Sequence, residues 1–194
     1  SLYNSDLLDF SLKDIDNELE IGNISRGHRL FKNKISINHP DSYISLLEDS
    51  GVIVRREVRK EFILNQIKNS SNQLALYSDL PDSLINELTD LVESPNLILG
   101  EFDKSFLNLP AEVLCTVMKS HQRYIPLFKV KENINKLELS SENILSTKFL
   151  CISNGLPESS NLIKKGNENV LKARFADAKF FIASDKKLSC EERN

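Results

Sequence analysis

Apolar residues recur at helical spacing along much of this chain, most regularly in residues 164–184. Steps of four, three and four residues place one apolar stripe on a single face of an α-helix. The stripe consists of Leu171, Phe175, Ala178 and Ile182. We expect this helix to begin at Asn167, whose side chain can cap a free backbone N–H, with Glu168 near the positive end of the helix dipole.

Three more helices are predicted to begin at prolines. The backbone N–H groups of the first helical turn have no partner within the helix, so proline, which lacks an N–H, is tolerated there. Their first residues are Pro40, Pro81 and Pro110. The helix from Pro81 is expected to bury Leu84, Leu88 and Leu91. A fifth helix is predicted at residues 57–67, followed by a polar break at residues 69–72.

Runs of β-branched and aromatic residues predict strands between these helices. They cover residues 35–37, 96–102, 124–130 and 148–153, while the polar residues 131–146 predict a hairpin or loop. Strands interleaved with helices indicate an α/β fold, with α+β as the alternative. We expect a mixed sheet with packed helices, ending in the amphipathic C-terminal helix.

The composition is that of an ordinary globular chain, with 40% hydrophobic and 27% charged residues. No apolar run approaches the roughly 20 residues of a membrane span, and the first residues lack the order of a signal peptide, so we expect a cytoplasmic protein without a membrane partner. Cys115 and Cys151 lie in apolar runs and are predicted to be reduced and buried, whereas Cys190 lies in a polar tail. Their spacing predicts neither a metal site nor a disulfide.

The charges of the chain are strongly segregated. Its net charge is only −3, yet residues 26–34 hold four bases and no acid, and residues 79–103 hold seven acids and no base. Any contact with nucleic acid should therefore be a localised patch. The alternative is that each charged run is simply a solvated face.

The first candidate patch is Arg26, His28 and Arg29, with Gly27 allowing a tight backbone. Arginine presents a planar fork that matches phosphate oxygens. The alternative is that these arginines pair with the acidic residues of the stretch 6–20 and hold a loop in place.

The second candidate patch is the block His121, Gln122, Arg123 and Tyr124, which follows a predicted helix. It offers hydrogen-bond donors and an aromatic ring, which suit a single-stranded or distorted RNA end. The alternative is structural, because a cation favours the negative end of a helix and Tyr124 leads into a buried strand.

The third candidate patch lies on the C-terminal helix, where Lys165, Lys172 and Lys179 recur every seven residues with Arg174 nearby. We expect a basic exposed side that can meet phosphates, with binding that weakens as salt rises. The alternative is an ordinary charged face, with intrahelical pairs occupying some of these side chains.

Catalytic motifs are missing from the sequence, which has no phosphate-binding P-loop, no Gly-x-Ser-x-Gly elbow and no His-Glu-x-x-His zinc helix. Cys115 and His121 are six residues apart, but Cys115 sits on the apolar run of its helix. We therefore expect a thiol of the protein core and no catalytic residues.

Three co-linear blocks carry a resemblance to a known family. They read SRGHRLF at residues 25–31, ESPNLILGEFDKSFLNLPAEVLCTVMKSHQRYIPLF at 93–128 and GNENVLKARFADAKFF at 166–181. Together they closely resemble the beta subunit of bacterial glycyl-tRNA synthetase over nearly the whole chain.

The resemblance implies a fold related to the B3/B4 module of the phenylalanyl-tRNA synthetase beta chain. It implies a domain at residues 1–160, truncated at its N-terminus, and a junction helix at residues 161–194 leading to an HD-like domain. The implied partners are the glycine tRNA and the alpha subunit, which would use ATP and Mg. This chain would need no cofactor and would supply tRNA binding or scaffolding to glycine–tRNA ligation. A hydrolytic editing domain and a purely structural interaction module are the alternatives.

Overall fold

Short antiparallel hairpins form most of the first of two units in the computed structural model, Ser1–Arg59 and Lys60–Asn194. The structure describes residues 2–3, 6–7, 11–14, 17–20, 22–31, 34–130 and 140–185. The hairpins of the first unit pair β1 (Leu2–Tyr3) with β2 (Asp6–Leu7), β3 (Ser11–Asp14) with β4 (Asn17–Glu20), and β5 (Ile24–Arg26) with β6 (Lys34–Ser36). The domain boundary that we expect at residues 160 and 161 stays a prediction.

The predicted helix at Pro40 is confirmed. A 3₁₀ turn at Pro40–Ser42 leads into α1 (Tyr43–Asp49), and the chain leaves the helix through Gly51 at a φ of 81°. The inward side chain Leu47 is 4% exposed and packs with Ile35 and Ile37. These three residues form the small core of the first unit.

A four-stranded antiparallel sheet organises the second unit. Its strand order is β7 (Tyr77–Ser78), β9 (Ile125–Phe128), β10 (Leu145–Asn154) and β8 (Pro95–Glu101). Every described strand pair is antiparallel, so the expected mixed sheet is wrong in that detail. Helices and strands do interleave, which confirms the predicted class and selects its α+β form.

Helices cover both faces of this sheet, because alternate residues of a strand point to opposite sides. Leu150 and Ile125 face α2 (Arg56–Gln73) and α3 (Asp82–Leu91), whereas Phe149 and Phe128 face the other core. The helices on that second face are α4 (Ala111–Thr116), α5 (Ser141–Ile144) and α6 (Ser160–Asp185).

Three local predictions are wrong. The helix α2 continues through residues 69–72, because Asn69 and Asn72 point to solvent while Ser71 points inward. Leu91 is 56% exposed, because α3 ends there and the extended Val92 enters the core instead. The loop predicted at residues 131–146 is wrong in its last part, because residues 141–146 form α5 and the start of β10. Residues 131–139 and Cys190 lie outside the described residues.

The C-terminal helix α6 begins at Ser160, after a 3₁₀ turn at Pro157–Ser159, and not at Asn167. Asn167 lies inside the helix, and its side-chain amide donates to the Cys151 sulfur at 3.0 Å. The predicted buried stripe is confirmed at Leu171 and Phe175, which are fully buried, whereas Ala178 and Ile182 are half-buried. Among the helices described, none is long and apolar enough to cross a membrane.

Candidate nucleic-acid interface

Three exposed lysines form a straight stripe along α6. Lys165, Lys172 and Lys179 all lie at the surface. Seven residues of α-helix rise about 10.5 Å and return to nearly the same angle, since they turn the chain about 20° short of two full turns. The lysine stripe therefore spans about 21 Å on one side of the helix.

The lysine stripe lies beside the core-facing side of α6 and not opposite to it. At about 100° per residue, it is roughly a quarter turn from the direction of Leu171 and Phe175. Arg174 is two residues after Lys172, and residues two apart do not face each other. Arg174 therefore lies on the opposite flank of the helix, apart from the lysine stripe.

Among its exposed charged side chains, α6 also presents large apolar side chains to solvent. Leu162 is 78% exposed and Phe180 is 68% exposed, and both point away from the buried stripe. The ring of Phe181, 65% exposed, lies against Phe180 with the centroids 5.8 Å apart. We call Phe180 and Phe181 the outward apolar patch; Leu162 lies about 27 Å away along the helix and is not part of it.

The acidic residues near the lysine stripe are engaged locally. The Glu168 carboxylate accepts a hydrogen bond from the Glu101 backbone N–H at 2.9 Å and lies 3.8 Å from the Lys164 ammonium. Hydrogen bonds from Ser105 lower the pKa of Asp103, and the nearby charge of Lys172 lowers it further. The Asp103 carboxylate is therefore an acidic group whose charge interacts with that of Lys172.

The block at residues 121–124 follows a π-helical turn at Val117–His121 and is partly structural. Arg123 adopts a φ of 56°, and its Nε donates to the Glu87 carboxylate on α3. The buried ring of Tyr124 stacks on Phe149 with the centroids 5.0 Å apart, and burial raises the pKa of its hydroxyl to about 12. This ring presents no face to RNA in this conformation, whereas His121 is exposed and Gln122 is half-buried.

The patch at residues 26–29 has a buried centre. His28 is 0% exposed, its backbone N–H donates to the Ser50 carbonyl at 2.9 Å, and its Nδ1 accepts from the Leu30 N–H at 3.4 Å. Its ring meets Phe31 edge to face at 6.1 Å. His28 thus anchors this loop to the end of α1, while Arg26 and Arg29 on either side are exposed.

The predicted core thiols are confirmed. Burial raises the pKa of both Cys115 and Cys151 to about 11, so both are protonated near neutral pH. A nucleophilic thiolate at Cys115 is therefore not supported. Within the described ranges, no group of three or more His, Cys, Asp or Glu side chains could hold a metal ion.

The candidate RNA contacts are divided between the two units. In the second unit the Val117–His121 turn packs against α6, whereas Arg123 pairs with Glu87 on α3, at the opposite face of the sheet. Arg26, His28 and Arg29 belong to the first unit. Contact of any of these residues with RNA stays a prediction.

Sequence comparison assigns the chain to a family. The profile of the family described as "Glycyl-tRNA synthetase beta subunit" matches residues 1–194. A Trichodesmium erythraeum protein named glycine–tRNA ligase beta subunit is 37% identical over 95% of this chain and 25% of its own length. A Halothermothrix orenii protein of the same name is 35% identical over 100% of the chain and 26% of its length, and one from Listeria monocytogenes is 34% identical over 99% and 26%. The chain spans about a quarter of the length of these curated relatives, and it belongs to the glycyl-tRNA synthetase beta subunit family.

Proposed function

We propose that this chain is a non-catalytic part of a glycine–tRNA ligase, helping to hold the glycine tRNA and to position neighbouring protein during ATP-dependent glycylation. The observation that carries this proposal is the family match over residues 1–194. The relatives are named glycine–tRNA ligase beta subunits, so the partner would be an alpha subunit in a hetero-oligomer. ATP and Mg would be used by that alpha subunit, and the complex would work in the cytoplasm.

The tRNA half of the proposal is supported by the lysine stripe. Three ammonium groups about 10.5 Å apart present positive charge to a polyanion, and within the part of the chain that the structure describes none of them forms an ion pair with a carboxylate. Buried residues Leu171 and Phe175 fix the helix on the sheet, so the stripe is held rigidly. A row of cations on an anchored helix suits a phosphate backbone, because binding has to order only the lysine side chains and not the helix.

The scaffolding half is supported by the outward apolar patch. Two phenylalanine rings in contact with each other, each more than 60% exposed, suit a protein contact, since aromatic side chains are enriched at interfaces. The apolar patch and the lysine stripe lie on different sides of α6, so one helix can serve both a protein and an RNA contact. The likeness to the B3/B4 module and the junction role of residues 161–194 are parts of this proposal.

Glycylation kinetics of the complete enzyme test the tRNA role. Replacing Lys165, Lys172 and Lys179 with Glu should raise the KM for tRNA at least tenfold. Exchange of pyrophosphate into ATP in the presence of glycine should stay unchanged, because the activation step lies outside this chain in our proposal. A raised KM for tRNA with unchanged pyrophosphate exchange distinguishes the loss of a tRNA contact from general damage to the enzyme.

A matched control keeps the total charge change equal. Lys34, Arg55 and Lys104 are also exposed, and their replacement with Glu changes the net charge by the same amount. This control should leave the KM for tRNA within about twofold of wild type, because scattered charges contribute little. Equal effects of the two triple variants, or an unchanged KM in the first, would refute the tRNA role.

A further inference from the structure

A groove runs between the C-terminal half of α2 and the strand β7, entirely within the second unit. Its volume is about 610 Å³. Leu64 and Ile67 of the helix face Leu76 and Tyr77 across it, and Leu64 and Tyr77 are 39% and 42% exposed. The groove is thus largely apolar and open to solvent along one side.

The chain turn between helix and strand fixes the end of this groove. Ala75 adopts a φ of 52°, and the Leu76 N–H donates to the Ser71 carbonyl at 3.0 Å. These contacts tie the end of α2 to the start of β7. The two walls are therefore held at a set separation before anything binds.

An unsatisfied hydroxyl lies in the helical wall. Ser71 is 6% exposed, lines the groove, and carries the one buried side-chain polar atom without a hydrogen-bond partner among the residues that the structure describes. A buried polar group without a partner destabilises a fold, so such groups are rare. A ligand atom that donates to or accepts from the Ser71 hydroxyl would supply the missing hydrogen bond.

The opposite wall is the edge of a sheet. Of the strands described, β7 pairs only with β9, through Tyr77 opposite Phe128 and Ser78 opposite Leu127. An edge strand presents unpaired N–H and C=O groups that can accept another strand. A groove between such an edge and a helix is a common site for an added peptide strand.

The charge of the groove indicates the character of its occupant. Lys68 is the one charged side chain that lines the groove among the described residues. A carboxylate of the ligand would complement it. Aliphatic side chains would complement Leu64, Ile67 and Leu76.

We propose that this groove binds an extended peptide segment of a partner protein. The segment adds a strand to β7, places an aliphatic side chain between α2 and the sheet edge, hydrogen-bonds to the Ser71 hydroxyl, and directs a carboxylate to Lys68. This proposal is independent of the role in glycylation, because it uses neither the lysine stripe nor the outward apolar patch.

Selection from a library of random octapeptides with free C-termini, against the full-length beta subunit, tests this proposal. We expect enrichment of peptides that alternate aliphatic with other residues and carry a carboxylate. Ser71→Ala and Lys68→Glu should each weaken the affinity of the best peptide about tenfold, as the loss of one hydrogen bond to a charged or buried group does. Bound peptide should slow amide hydrogen exchange at Tyr77 and Ser78.

A matched control and a stability readout separate binding from folding. Ser70→Ala makes the same chemical change on the neighbouring residue of the same helix and should leave the affinity unchanged. Ser71→Ala should leave the urea midpoint equal to or above that of Ser70→Ala, because it removes an unsatisfied hydroxyl. The proposal is overturned if no peptide is enriched over selection on the Lys68→Glu protein, if Ser71→Ala binds as well as wild type, or if Ser71→Ala unfolds at lower urea than Ser70→Ala.

Discussion

Two phenylalanines of α6, five residues apart, should respond very differently to the same substitution. Phe175 is fully buried, with its ring edge to face with Phe102 at 5.1 Å and tilted against Phe106 at 5.4 Å. Phe180 is 68% exposed on the outward apolar patch. Phe175→Ala removes core packing, whereas Phe180→Ala removes a side chain that the core does not use.

The expected magnitudes follow from burial. Replacing a core phenylalanine with alanine costs about 4 kcal/mol, because it loses both the transfer free energy of the ring and the contacts that lined it. An exposed phenylalanine replaced in the same way changes the free energy of unfolding by about 0.5 kcal/mol or less. The helix propensity of the two changes is the same, so it cancels in the comparison.

Urea unfolding of the chain, followed by circular dichroism, measures this difference. With a slope of about 2 kcal/mol per molar urea, Phe175→Ala should lower the midpoint by roughly 2 M, and Phe180→Ala should leave it nearly unchanged. Equal midpoints for the two variants would refute the assignment of the helix faces. A large loss at Phe180 alone would mean that the outward apolar patch belongs to the core.

Three further predictions concern the backbone, the buried titratable groups and one ion pair. Gly27→Ala should destabilise the chain by about 1–3 kcal/mol, because the new Cβ would lie 2.5 Å from the Ser50 Cβ. Gly166→Ala should stabilise it by about 0.5–1 kcal/mol, because the new Cβ would have nothing within 4 Å and alanine favours a helix. A urea midpoint for Gly27→Ala that is not below that of Gly166→Ala would contradict the packing. Burial raises the pKa of Cys115 and of Cys151 from the ordinary 9.0 to about 11, so the protonated thiols favour the folded state up to about pH 9. Stability should fall between about pH 9 and 11, by on the order of 2 kcal/mol per thiol. Native thiols that react with iodoacetamide at pH 8 as fast as unfolded ones would disprove that burial. The pair of Arg123 with Glu87 is nearly half exposed, so a double-mutant cycle should give a coupling below about 1 kcal/mol, and a coupling above 2 kcal/mol would show a buried interaction instead.

Much of the secondary structure follows from local rules. Proline at a first helical position, the alternation of strand residues and the spacing of Leu171 and Phe175 each depend on neighbours in sequence, so the helices after Pro40 and Pro81 and the strands β8 to β10 are predictable. The start of α6 was harder to predict, because Asn167 is a good cap in isolation while the 3₁₀ turn at Pro157–Ser159 begins the helix seven residues earlier.

The geometry of the candidate site depends on the direction in which each side chain points as well as on its position in the sequence. The position of Arg174 away from Lys172 follows from 100° per residue, so the two-flank arrangement could have been predicted from sequence. The burial of His28 could not, because it depends on a contact with Ser50 that lies far away in sequence. The burial of Tyr124 agrees with the structural alternative, in which this residue leads into a buried strand. A polar or aromatic residue in a basic block is therefore weak evidence for an RNA contact until its exposure is known.

The salt dependence of tRNA binding by the complete synthetase tests the central claim most directly. Each phosphate contact that is lost removes about 0.9 from the slope of log affinity against log salt for a duplex. The variant with Lys165, Lys172 and Lys179 replaced by Glu should therefore bind tRNA more weakly, with a slope shallower than that of wild type by about 2.7 if all three lysines contact phosphates. A slope and an affinity equal to those of wild type would show that the lysine stripe of α6 does not meet the tRNA.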